Sequence, residues 1–457
     1  MQKKIIFKGL FLTTTFLLFT SLLFSQTKEN DNKKEIDQYG KKVESTELIA
    51  SSRDGILVFE SKDKNFKYWF DNRVFLDGAV FPGTQLNKAG SGVSIRRLRF
   101  AIKSILWKKW YGEVDLDFAG GQTEIKDAII KYKLKDGFIK MGHFKEPYSM
   151  EATTSSRHTT FIERSLPSKF APSRHLGLAF SKWSKKWLVI SGIFFNKAGE
   201  YEEVENTQSL NKKEGLDEGI SYTTRLVYNP ILSSDKVIHI GLATSYRTPK
   251  TSNGDANTYR FSTRALSSIN RKKYIDTDDI YDVDHRILLG YELAAAYKNF
   301  MIQGEYMTND IYGINDNYIV NLSGGYIEAA WLIFGSKYNY NHKEGEFTQI
   351  SQKNAWGELQ FAIMYSYVNA NDKDAAIYGG EGESYSFGLT YFANPNVKFK
   401  LNYNYINHDR YANGKGKLYI YEDETGKKYK DITGLNISAG KAGDDFGFVS
   451  FRAEIDF

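Results

Sequence analysis

The side chains of this sequence best placed to act chemically are bases. Arg97, Arg99 and Lys103 fall at even spacing in one stretch, and Lys145, Arg157, His158, Arg164, Lys169 and Arg174 gather further on, against Glu146, Glu151 and Glu163. A ring of Lys and Arg replaces part of an anion's hydration shell, and the planar guanidinium adds a bidentate fit to phosphate oxygens. The alternative is that these charges only pair with one another, Glu163 with the adjacent Arg164, and Asp115 and Asp117 with Arg97 and Arg99. Covalent chemistry has no comparable footing. The seven His are scattered, and no His-Glu-x-x-His spacing, phosphate-cradling Gly loop or Ser, His and Asp constellation stands out, so the sequence argues against an enzyme and implies no cofactor. Cysteine is absent, which removes disulfides and thiolate metal sites. One metal candidate remains: Asp276, Asp278, Asp279, Asp282 and Asp284 form an acidic run able to offer Ca²⁺ an oxygen cage, although such runs are commonly only solvated.

The elements that must carry these bases are strands. From Phe66 to the end, apolar and polar residues alternate with a period of two. Leu98, Phe100 and Ile102 oppose Arg97, Arg99 and Lys103; Val114, Leu116 and Phe118 oppose Glu113, Asp115 and Asp117; Phe399, Leu401 and Tyr403 oppose Lys398, Lys400 and Asn402. Several runs reach ten residues, the length a membrane-spanning strand needs, whereas strands of soluble sandwiches are usually about five or six. Arg97, Arg99 and Lys103 on one face suit a water-filled lumen. Aromatic residues make up 15% of the chain, with 31 Tyr, 31 Phe and only 7 Pro, which favours strand over helix. A mean hydropathy of −0.46 excludes a bundle of transmembrane helices, but a barrel needs only alternate residues to be apolar.

The pattern predicts an all-β, transmembrane antiparallel barrel of about 16 strands over 55–457. Short turns are expected at Trp107 to Tyr111, Lys135 to Gly137, Ser184 to Lys186, Asn229 to Asp235, Lys298 to Asn299 and Asn394 to Asn396. Long loops are expected at about 77–94, 145–174, 196–218, 248–285, 308–323, 368–383 and 408–445. With both termini periplasmic the short turns are periplasmic and the strand number even. Segment 145–174 is then the third extracellular loop, expected to fold inward and set a constriction. A seventeenth strand candidate, Thr258 to Ala265, is assigned to a loop to keep parity. Gly335 to Asn354 is a misfit, long and polar on the short-turn side.

At the N-terminus, Lys3, Lys4 and Lys8 precede an uncharged apolar run from Gly9 to Phe24, the layout of a secretory signal peptide over 1–25. Its removal lowers the net charge from +6 to +3, so charge alone does not imply nucleic acid as a partner. Residues 26–54 read as a polar arm without sustained periodicity. In the final stretch Val449, Phe451, Ala453, Ile455 and Phe457 alternate with polar residues, and a terminal Phe resembles the signal recognised by the barrel-assembly machinery.

Four stretches are similar to the phosphate-selective porin O and P family in its Bacteroidetes form: Phe66, Arg73, Leu76, Asp77 and Gly78; Arg96-Arg97-Leu98-Arg99; Gly142-His143-Phe144-Lys145-Glu146-Pro147; and Phe161-Ile162-Glu163-Arg164-Ser165-Leu166-Pro167 with Phe170-Ala171-Pro172-Ser173-Arg174. The resemblance implies a 16-stranded homotrimeric porin in the outer membrane of a Gram-negative bacterium, surrounded by outer-membrane lipid. It would pass small hydrophilic solutes passively, with phosphate or polyphosphate-like anions moving past basic residues. Lys145, Arg157, Arg164, Arg174, Arg97, Arg99 and Lys103 are the expected anion-binding residues. Glu113, Asp115, Asp117, Asp127, Glu292, Glu305, Glu328 and Glu358 are also expected to face inward, which leaves a nonspecific or weakly cation-preferring porin as an alternative. A plugged barrel acting as an adhesin and a soluble secreted β-protein complete the alternatives.

Overall fold

A computed structural model describes residues 34–82, 86, 89–198, 212, 215, 219–249, 257–314, 318–412, 419–431 and 443–457. The predicted signal peptide lies outside the described residues. Sixteen antiparallel strands close into a barrel. They are β1 (Phe66–Phe70 continued by Arg73–Val80), β2 (Gly92–Leu106), β3 (Trp110–Asp117), β4 (Glu124–Lys133), β5 (Gly137–Lys145), β6 (Arg174–Trp183), β7 (Trp187–Phe194) and β8 (Ser221–Tyr228), followed by β9 (Lys236–Arg247), β10 (Val283–Tyr297), β11 (Phe300–Gly313), β12 (Ile319–Leu332), β13 (Glu358–Asp372), β14 (Ile377–Phe392), β15 (Val397–His408) and β16 (Phe446–Asp456). Closure is made by β16 against β1, from Val449↔Val80 to Asp456↔Arg73.

Alternation sorts the side chains. On β15, Phe399, Leu401, Tyr403 and Tyr405 are exposed outward, while Lys398, Lys400, Asn402 and Asn404 are buried inside. Near the short turns, aromatic pairs meet: Phe66 with Trp107, Trp110 with Tyr132, Trp187 with Tyr228 and Phe300 with Trp331. Rings at this level suit a membrane–water interface.

β1 is broken at Asp71 and Asn72, and the reason is the neighbour it has there. Phe457 exchanges backbone hydrogen bonds with Asn72, so β16 ends at that level. Below it, Phe66–Phe70 is paired on its free side by the strand Ile56–Ser61, with Val58↔Trp69 and Glu60↔Lys67. An otherwise open edge is thereby covered. Where composition predicts a patternless arm to residue 54, Lys34–Ile36 pairs with Lys42–Glu44 and Leu48–Arg53 is a strand. Backbone pairing needs no apolar alternation, which is why composition did not reveal it.

Loop lengths differ from expectation in two places. The expected loops 308–323 and 368–383 are mostly strand, because β11 to β14 run for 14 to 16 residues and leave only 314–318 and 373–376 as connections. The connection 118–123, which counting 145–174 as the third loop requires although it is not among the long loops, is short. Thr258 to Ala265 stays outside the wall: Ser262–Arg264 pairs with Lys273–Asp276 in a separate two-stranded sheet.

The inner wall is not polar throughout. On β11 to β13 the inward side chains include Met301, Met307, Ile311, Val320, Leu322 and Val368. They belong to one apolar cluster with Tyr148, Met150, Phe161, Leu166 and Phe170 of the connection 146–173, and with Phe261, Leu266 and Ile280 of the connection 248–282. Inward apolar residues are thus matched by apolar loop residues, and the charged wall of β1 to β6 remains opposite.

Candidate functional site

The segment 146–173 is held by hydrogen bonds that begin at its first residue. The Glu146 carboxylate accepts from Thr223 (2.5 Å), from Arg247 (2.8 and 2.9 Å) and faces His175 at 2.6 Å. Burial opposes ionisation of Glu146, but Arg247 and these hydrogen bonds outweigh it and lower its pKa to about 2. A single helical turn follows, α1 (Met150–Thr153), capped by the Ser149 hydroxyl accepting from Ala152 N–H at 3.0 Å. Carbonyls at its C-terminal end accept from cationic side chains. Lys145 Nζ donates to Thr153 O and Thr154 O (2.9 and 3.0 Å), and Arg164 donates to Glu151 O and Thr154 O (2.8 and 2.7 Å). Two cations are therefore positioned by neutral carbonyls, which orient them without cancelling their charge.

The partners of the segment lie round the wall. Arg96 donates to Glu163 at 2.9 Å, Thr160 to Glu328 at 2.9 Å, and Leu166 N–H to Ser366 at 3.3 Å. Lys398 and Lys400 donate to Arg157 O and Thr159 O at 2.7 and 2.6 Å. Glu151 uses its carboxylate internally, accepting from Ser165 N–H and Oγ (2.8 and 2.6 Å), and burial raises its pKa.

Two large cavities border this segment. The inner one, of about 370 Å³, is lined by ten Lys and Arg side chains and five carboxylates. The outer one, of about 520 Å³, is lined by ten Lys and Arg side chains and one carboxylate, that of Glu163. The three residues common to both linings are Lys145, Arg164 and Arg174. They form a cationic junction between the chambers. Arg174 is balanced by a bidentate pair with Asp127 (3.0 and 2.7 Å), whereas Lys145 and Arg164 form no ion pair among the described residues.

The other expected site residues divide. Arg97, Arg99 and Lys103 line the inner chamber. Arg99 is neutralised by Asp117 (2.9 Å) and Asp115 (3.6 Å), and Lys103 by Asp71 (2.5 Å) and Glu113 (3.2 Å). Arg97 forms no ion pair among the described residues: it lies over the Phe75 ring, and its Nε has no hydrogen-bond partner there. Arg157 lines neither cavity; it is paired with Asp456 (2.9 Å) and Asp71, and pins the segment to the barrel seam. Glu163 pairs with Arg96 instead of its sequence neighbour Arg164; burial works to raise its carboxyl, but the Arg96 charge prevails and holds it below the ordinary range.

The acidic run offers no cage. Asp276 takes a bidentate bond from Arg260 (2.7 Å to each oxygen), and the same guanidinium lies 3.8 Å from Asp278 and 4.0 Å from Asp279. A cation already sits where Ca²⁺ was considered. Among the described residues, Glu113, Asp115 and Asp127 are the acidic group whose ligand atoms converge within 4.8 Å.

Strict alternation missed Arg96. In register, Phe75 faces Arg97 and Leu76 faces Ile95, so Arg96 is an extra residue in a β-bulge and reaches the outer chamber on the same side as Arg97. Arg247, Arg260, Arg264 and Arg286 of the outer lining were also missed, because they come from distant segments brought together only by closure of the barrel. Arg225 was missed as well, although its place between Thr223 and Val227 in an alternating run carried the signal.

A family model described as Phosphate-selective porin O and P matches residues 70–419. No curated protein matches the sequence. Among solved structures, the trimer form of OmpT, an outer membrane protein of Vibrio cholerae, is similar with a TM-score of 0.51 at 10% identity, covering 86% of this chain and 99% of that one. An anion-selective porin from Comamonas acidovorans is similar with a TM-score of 0.52 at 8% identity, covering 86% and 100%. At these identities the likeness speaks to the fold, a porin barrel.

Proposed function

The chain belongs to the phosphate-selective porin O and P family of outer-membrane porins, and from that premise we propose that it is a passive pore preferring small anions, phosphate or polyphosphate-like ions among them. The observation that carries this reading is the junction of Lys145, Arg164 and Arg174, common to both chambers and held largely by backbone carbonyls. An anion approaching from outside meets ten bases and one carboxylate, sheds part of its hydration against guanidinium and ammonium groups, and passes through the junction into a chamber of mixed charge. The family and the Comamonas acidovorans porin, described as anion-selective, agree with this direction.

In the same reading, 146–173 is the inward-folded third extracellular loop and sets the constriction, 1–25 is a signal peptide, and Phe457 is the assembly signal. The working unit is a homotrimer, by analogy with the trimer form of the Vibrio cholerae protein. The test is phosphate block of chloride current in planar bilayers. Wild type should be blocked by phosphate, and neutralising Lys145 and Arg164 together should weaken that block; chloride current indifferent to phosphate would contradict the proposed ligand.

A further inference from the structure

At the short-turn end most connections are brief, yet 333–357 is long and folds as a hairpin, Tyr340–Asn341 against Glu346–Phe347. Its tip turns at Gly345, whose φ of +68° is left-handed and whose added Cβ would lie 3.2 Å from Arg225 Nη1. The tip is held within the barrel by the wall. Arg225 donates to Glu344 O (3.0 Å) and Gly345 O (2.8 Å), while the same guanidinium is bidentate to Glu292 (2.8 and 2.7 Å). His239 bridges Glu292 (2.8 Å) and the Tyr340 hydroxyl (2.6 Å), and the side chains of Arg225, His239 and Glu292 are 0% exposed. Four groups from three strands and the hairpin thus interlock. The consequence is that the Glu344 and Glu346 side chains line the inner chamber together with Lys140, Lys145 and Arg164.

We infer that this hairpin is a second selectivity element on the periplasmic side, whose Glu344 and Glu346 carboxylates compete with a bound oxyanion for Lys145 and Arg164 and so release it from the junction. Among the described residues the outer chamber's lining carries one carboxylate, that of Glu163, which Arg96 already engages. Arg225 acts as a positioning residue that fixes the tip. A basic junction alone would hold a phosphate-like ion and slow its passage; conduction requires binding weak enough to leave. The inference rests on the anion-pore reading above.

The chain has no cysteine, so Glu346→Cys introduces a single thiol into the whole barrel. Phosphate block of chloride current is measured for wild type, E344Q/E346Q and Glu346→Cys, the last before and after modification with a sulfonatoethyl or a trimethylammonioethyl thiosulfonate. Loss of both carboxylates should tighten block by up to about sixteenfold where both are ionised, on the basis that a unit charge about 5 Å away in water changes anion occupancy about fourfold. The anionic reagent should restore the wild-type block and the cationic one should tighten it further. An unchanged block in E344Q/E346Q, or equal effects of the two reagents, would overturn the role of the hairpin while the anion-pore reading stood. Wild-type current insensitive to phosphate would overturn both. Restoration by the anionic reagent is measured within one folded channel, so it separates charge from any folding defect.

Discussion

Replacing Lys145 by Gln removes one charge from the junction without emptying the site, because Gln can still donate to Thr153 O or Thr154 O. A unit charge about 5 Å from a permeating ion in a water-filled passage is worth about 0.8 kcal/mol, or roughly a fourfold change in local occupancy at 25 °C. Anions lose this factor and cations gain it, so the anion-to-cation permeability ratio should fall by up to about sixteenfold at low salt, where screening is weak. At 1 M salt the Debye length is about 3 Å and the effect should largely disappear. Asp127→Asn is the control of opposite sign. It leaves Arg174 without its bidentate carboxylate and should raise the ratio by a similar factor. Reversal potentials of both variants in planar bilayers, under a KCl gradient at about 0.1 M and again near 1 M, provide the assay. A ratio unmoved at low salt in both variants, or moved in the same direction by both, would refute the electrostatic reasoning.

Arg157→Gln should leave ion selectivity nearly unchanged, because Arg157 lines neither chamber, but should destabilise the barrel. It takes one base from Asp71, which keeps Lys103 and Arg73, and the 2.9 Å partner from Asp456, which keeps Lys398 at 3.9 Å, at a cost of about 1–2 kcal/mol, below the ~3–5 kcal/mol of a buried charge left without a partner; the temperature at which the barrel loses its compact form on a gel reads this. Gly142→Ala should cost more. The φ there is +123° and a Cβ would stand 2.0 Å from Ala128 O, so the β4–β5 pairing must open, seen as reduced yield of heat-resistant barrel. The ratio of phosphate block in Glu346→Gln to that in wild type should grow as pH rises from about 6 to 8, a comparison in which the ionisation of phosphate itself cancels. Burial first, then Glu344, raises the Glu346 carboxyl to about 7 against the pull of Lys145, Arg225 and Arg164, so it gains its charge in this range. In stability the same shift acts from the ordinary value of 4.5 upward: the contribution is complete below 4.5 and is lost as pH passes about 7. A ratio unchanged across that range would contradict this.

The barrel was legible because membrane-spanning strands impose a period of two over long runs, and a run such as Val397 to Tyr405 outlasts the strands of about five or six residues usual in a soluble sandwich. Closure of a 16-stranded wall then followed from parity, which also kept Thr258 to Ala265 out of it. Lys145, Arg164 and Arg174 were legible as a cluster because they flank or lie within a single loop. What lay beyond reach depended on contacts distant in sequence. The partner of Glu163 is Arg96, exposed to the chamber only by a bulge that strict alternation does not reveal. The misfit at Gly335 to Asn354 is explained by Arg225 and His239, more than 100 residues upstream of the hairpin atoms they hold. Inward apolar residues such as Met307 and Leu322 blurred the polar face because loops cover them.

The central claim is that the cationic junction makes the pore prefer anions. Its most direct test is the reversal potential of the purified, detergent-extracted wild-type protein in a planar bilayer under a KCl gradient. The account predicts a potential displaced toward chloride equilibrium, shrinking when Lys145, Arg164 and Arg174 are neutralised together. A potential displaced toward potassium equilibrium, or a chloride preference indifferent to those three substitutions, would contradict it.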